Sequence, residues 1–128
     1  MQYYFSKTIE CSFEEALNKV TESLKEQGFG ILTEIDIQAT MKKKLGVDFV
    51  PYKILGACNP PFAYKALQEE NKIGTMLPCN VIVQSLEDGK VEVAAIDPVA
   101  SMQAVENEAL DGIAREVRAK LKVAIDQL

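Results

Sequence analysis

The sequence predicts an α+β domain, with a largely antiparallel sheet and two long helices packed on one of its faces. Three observations carry this. A capping box opens a helical stripe near residue 12, a tight Asp-Gly turn separates two apolar runs, and a long amphipathic segment closes the chain. Hairpin-type connections with few βα repeats favour antiparallel pairing.

Residues 2–10 alternate through Tyr3, Phe5, Lys7 and Ile9 and predict a first strand. Ser12-Phe13-Glu14-Glu15 has the capping-box form, in which Ser12 accepts from the Glu15 amide and the Glu15 carboxylate reaches back to the Ser12 amide. Phe13, Ala16, Leu17, Val20 and Leu24 follow at helical spacing, so a helix is expected over 13–27 with Gly28 ending it. Alternation returns over 29–37, with Phe29, Ile31, Thr33, Ile35 and Ile37 expected on one side. Thr40 to Leu45 suits a short helical turn closed by Gly46. Residues 50–58 predict a third strand, with Pro51 near its start.

Asn59-Pro60 reads as the cap and first position of a second helix running to about Glu70, with Phe62, Ala63, Ala66 and Leu67 as its stripe. Strands are expected over 78–86 and 90–96, joined through Glu87-Asp88-Gly89-Lys90. Asp97-Pro98 ends the last strand. The final helix is expected over 104–127, with Val105, Ala109, Ile113, Val117, Leu121 and Ile125 on one face. No linker, repeat or low-complexity segment divides the chain, and residues 1–128 are expected to form one domain.

A net charge of −5 opposes a broad nucleic-acid footprint, which needs a basic face to neutralise phosphates. Lys42-Lys43-Lys44 is a short basic run without interleaved aromatics and reads as a solvated helix end. No secretory leader pattern precedes the three cysteines, and no apolar run approaches membrane-helix length. The cytoplasm, with reduced thiols and no membrane partner, is the expected location.

The chain has no histidine, so Ser-His and Cys-His dyads and His-rich zinc sites are excluded. Nucleotide-binding glycine loops are also missing. What stands out is a Cys-Asn pair at each of two strand boundaries, Cys58-Asn59 and Cys79-Asn80. Cys58 precedes a helix N-terminus, where the positive end of the helix dipole lowers a thiol's pKa. Its amides would also welcome an anionic or carbonyl-bearing ligand. Packing is the plain alternative for Cys58, Cys79 and Cys11, since free cysteine behaves as a small buried hydrophobe. Asn59 has a capping role open to it, whereas Asn80 either ties down backbone or faces a pocket. Asp97 and Tyr64 complete the set of candidate ligand contacts.

Three longer blocks carry a family resemblance: Ile54-Leu55-Gly56-Ala57-Cys58-Asn59-Pro60-Pro61-Phe62-Ala63-Tyr64-Lys65-Ala66-Leu67, then Ile73-Gly74-Thr75-Met76-Leu77-Pro78-Cys79-Asn80-Val81, and Ile96-Asp97-Pro98-Val99-Ala100-Ser101-Met102 downstream. In these blocks the chain resembles the bacterial and archaeal family called domain of unknown function 302, over nearly its whole length. The resemblance implies a β-α-β4-α order similar to the TATA-binding-protein-like fold, and a homodimer. Many members of that family carry histidine where this chain has Tyr64, so no histidine-based site carries over.

Three functional readings follow. The first is a non-catalytic homodimeric module that binds a small ligand or a partner between the Cys-Asn blocks, with no cofactor specified. The second is thiol redox chemistry or soft-metal binding, of Cu(I) or zinc, through Cys58 and Cys79. The third, a hydrolase or isomerase using Asp97 and Tyr64, ranks lowest because no activated nucleophile is visible. Tyr3, Tyr4, Phe49 and Tyr52 are apolar groups available to a dimer contact, for which about 1,200 Å² or more of buried surface is expected.

Overall fold

In a computed structural model that describes residues 2–128, five strands form one sheet in the order β1-β5-β4-β3-β2, every neighbouring pair antiparallel. The strands are β1 (Tyr4–Ile9), β2 (Gly30–Asp36), β3 (Tyr52–Cys58), β4 (Cys79–Ser85) and β5 (Val91–Ile96). The helices are α1 (Phe13–Glu26), α2 (Ile37–Leu45), α3 (Pro60–Glu69), α4 (Pro98–Ser101) and α5 (Glu108–Asp126). Met1, where the predicted alternating segment begins, lies outside the described residues. The expected α+β class and β-α-β4-α order hold, with α2, α3 and α4 as insertions between the main elements.

The capping box of α1 forms with one change. The Glu15 amide donates to Ser12 Oγ at 3.1 Å, and the Ser12 hydroxyl donates to Glu15 Oε1 at 3.2 Å. The carboxylate thus meets the serine hydroxyl rather than the serine amide. At the other end of the chain, Asn107 caps α5 by accepting from the Ala109 amide at 3.0 Å.

The stripe predicted for α5 needs correction, because Ala109 is exposed and Val105 precedes the helix. A stripe spaced strictly by four residues drifts roughly 40° per step against a helix of 3.6 residues per turn. The buried face instead mixes steps of three and four: Leu110, Ala114, Val117, Leu121 and Ala124, with Ile125 beside it.

Helices α1 and α5 cover one face of the sheet. Ala16, Val20 and Leu24 of α1 and Val117, Leu121 and Ile125 of α5 pack on Leu55, Val81, Val83, Val93 and Ala95. Burial of each large side chain here contributes roughly 1.5–3 kcal/mol. A smaller cluster of Ala66, Ile73, Met102, Leu110 and Ala114 joins α3 and α4 to the N-terminal half of α5.

The simple alternation expected along β2 also fails. Ile31 pairs with Ala57 and Thr33 with Gly56, so Leu32 is an extra, bulged residue. A bulge shifts the phase of a strand by one position and sends the following side chains to the opposite face. Ile31 therefore packs against the helix-side core, whereas Thr33 and Ile35 belong to the uncovered face.

Candidate apolar ligand site

Where the two core clusters meet, they leave a cavity of about 250 Å³. Small and rigid side chains at facing positions explain the space. Ala57 on β3, Ala63 and Ala66 on α3 and Ala114 on α5 present only methyl groups to it, and Pro78 and Pro98 cannot bend inward to fill it. Phe29, Phe62, Met102 and Val117 supply larger walls. The stripe predicted for α3, namely Phe62, Ala63, Ala66 and Leu67, is the face that lines this cavity. The bulge aims Leu32 at the mouth, where it stays 66% exposed.

Three of the six candidate residues meet here. Cys58, Asn59 and Cys79 all line the cavity, held together because β3 and β4 are paired with Ala57 opposite Cys79. The other three lie elsewhere. Tyr64 points away from the sheet on the outer side of α3 and is 66% exposed. Asn80 lies opposite Gly56 on the face that the helices leave uncovered. Asp97 is buried and structurally occupied. Its Oδ1 accepts from the amides of Val99 at 3.0 Å and Ala100 at 3.4 Å, and its Oδ2 from Arg118 Nε at 3.1 Å. The Arg118 guanidinium also lies 5.0 Å from the Phe5 ring centroid.

Asn59 occupies the cap position of α3, yet its side chain makes no capping bond. Its amide nitrogen donates to the Gln27 carbonyl at 3.2 Å, fastening the start of α3 to the end of α1. The free amides expected at this helix terminus are also few. Pro60 and Pro61 have no N–H, and Ala63 already donates to the Asn59 carbonyl at 3.0 Å, leaving Phe62 as a single donor. The terminus is a poor anion site, and an apolar guest fits the walls better.

Both thiols are shifted upward, against the lowering expected from the helix dipole at Cys58. Burial raises the pKa of Cys58, and burial with the neighbouring Cys58 raises Cys79 to about 11. Desolvation opposes charge on both sulfurs, and a helix start lacking two donors offers little to offset it. All three cysteines are free, with Cys11 packed at the edge of the main core. Among the described residues, no group of three or more His, Cys, Asp or Glu is placed to hold a metal ion. Likewise, no described helix is long and apolar enough to cross a membrane.

Sequence reasoning missed most of the cavity wall, including Phe29, Leu32, Met102 and Ala114. Their one legible signal is the recurrence of alanine at core-facing positions of three different elements.

A five-stranded antiparallel sheet, with one face under two long helices and an apolar cavity open to the surface between α3, α5 and the sheet, defines a small α+β fold. The profile of the family described as domain of unknown function DUF302 matches residues 5–128, and the chain belongs to that family. Among solved structures it is similar to the crystal structure of an uncharacterized conserved DUF302 protein from Bacillus stearothermophilus. The two share 28% identity and a TM-score of 0.91, over 99% of this chain and 98% of that one. No curated protein matches the chain.

Proposed function

We propose that the protein is a non-catalytic, homodimeric module of the TATA-binding-protein-like fold. In this reading it holds a small, largely apolar ligand in the cavity between α3, α5 and the β3–β4 pair. The observation that carries it is the cavity of about 250 Å³, walled by alanines, prolines and phenylalanines and reached beside Leu32 and Leu67. An apolar cavity of about 150 Å³ stays dry and takes up benzene. The larger space here suits a bicyclic aromatic or a short branched acyl group. Among the described residues, no activated nucleophile or acid–base pair adjoins it, which favours binding over catalysis. Three free thiols favour a reducing compartment such as the cytoplasm.

Native mass spectrometry of the purified chain tests the reading. A bound small molecule is expected, lost on Ala63→Trp, which fills the mouth. With ligand-free protein, indole as a probe is expected to raise the melting temperature of the wild type and not of the variant. A wild type indifferent to indole and free of any bound molecule would count against the cavity as a binding site.

A second reading, thiol redox chemistry or soft-metal binding, is favoured by one observation: Cys58 and Cys79 share the cavity. Their raised pKa values oppose it at neutral pH. Rapid reaction of both thiols with a disulfide reagent at pH 7 in the folded state would favour this reading over the first.

A further inference from the structure

Among the described residues, no long helix covers the face of the sheet opposite α1 and α5, yet its composition is not that of a solvated face. Strand register places Ile35, Ile54, Ile82 and Ala94 side by side across four strands, with Ser6 completing the row on β1. The neighbouring row runs Tyr52, Gln84, Glu92 and Thr8. Tyr4 and Ile96 pair at the far end, and Tyr3 sits 5.1 Å from Tyr4, ring to ring. Glu92 is the one charged side chain that this register assigns to the uncovered face among the described residues, in a chain that is 26% charged. The solvated face of an antiparallel sheet is ordinarily polar.

Beside this face stands an arm that contributes nothing to the core. No residue of α2 is buried, and Leu45, Val47, Phe49 and Val50 that end and follow it are exposed by 44–69%. Phe49 meets Tyr52 edge-on at 6.0 Å, so the apolar surface of the arm runs on into the sheet face.

We propose that this face, with the 37–50 arm at its edge, is where a second copy of the chain docks, sheet against sheet about a two-fold axis. The inference rests on the homodimer in the reading above and names its surface. Five strands about 4.8 Å apart and six residues long present a flat footprint on the order of 500 Å². The arm extends it toward the roughly 800 Å² per partner of a stable interface. The charges suit self-association as well. Among the described residues, Glu92 has Gln84 as a neutral partner at 2.8 Å and no ion pair, and Lys43 and Lys44 on the arm have none either. In a two-fold contact each copy supplies the arm lysines to the other's carboxylate, and each such pairing occurs twice.

Analytical ultracentrifugation across nanomolar to micromolar concentrations tests this, with circular dichroism as the check on folding. Ser6 and Thr8 are exposed edge-strand residues, so Ser6→Arg and Thr8→Arg are expected to fold and to weaken the dimer at least 100-fold. Leu67→Arg, at the cavity mouth, is expected to leave the dimer intact. A wild type that is monomeric throughout overturns the homodimer itself and this surface with it. A dimeric wild type whose Ser6→Arg and Thr8→Arg variants dimerise equally well overturns the surface alone, and places the dimer contact elsewhere.

Discussion

Raising the pH tests how firmly Cys79 is sealed in the structure. Its thiol is 8% exposed, and its pKa is raised from 9.0 to about 11. Because the folded value lies above the unfolded one, the folded state holds this proton more tightly. Its contribution to stability is fully present below pH 9 and is lost as pH rises through 11. Two pKa units correspond to about 3 kcal/mol in full, and about 2 kcal/mol of that is gone by pH 11. Cys58, also raised by burial, acts in the same direction. The assay is urea unfolding under reducing conditions at pH 8 and pH 11, for the wild type and Cys79→Val. Lysines and tyrosines titrate in both proteins, so the difference between them isolates the thiol. The wild type is expected to lose about 2 kcal/mol more than the variant over this interval. Equal losses would refute the reasoning, since they would mean that water reaches the sulfur and the β3–β4 end of the cavity is open.

Other substitutions probe the supports of the site. A Cβ on Gly56 would lie 2.8 Å from Pro78 Cγ and overlap Thr33 Oγ1, so Gly56→Ala is expected to cost about 1–3 kcal/mol in chemical denaturation. An unchanged midpoint would show that the edge strand β2 yields freely. Asp97→Ala removes the acceptor of two α4 amides and strands Arg118, and a loss of about 1–2 kcal/mol is expected. Asp97→Asn, which keeps an acceptor, is expected to recover part of that loss in thermal melts.

Features with local causes were legible in the sequence. Ser12 and Glu15 cap α1 from within four residues, and Asp88 and Gly89, both at positive φ, turn β4 into β5. The hydrophobic period of α3 already named the face that lines the cavity. The Cys-Asn blocks marked the two strand ends that meet there, since Cys58 and Cys79 flank one antiparallel pair. Features that depend on partners distant along the chain emerge only in the folded molecule. Asn59 has the residue type of a helix cap, yet it turns to the Gln27 carbonyl because α1 ends beside it. The Leu32 bulge arises from the pairing of β2 with β3 and reverses which side chains of β2 face the helices. Cys58 sits at a helix start that would favour a thiolate, but burial between α3 and the sheet outweighs that, because desolvation acts on the whole charge while a terminus lacking two amides returns little of it.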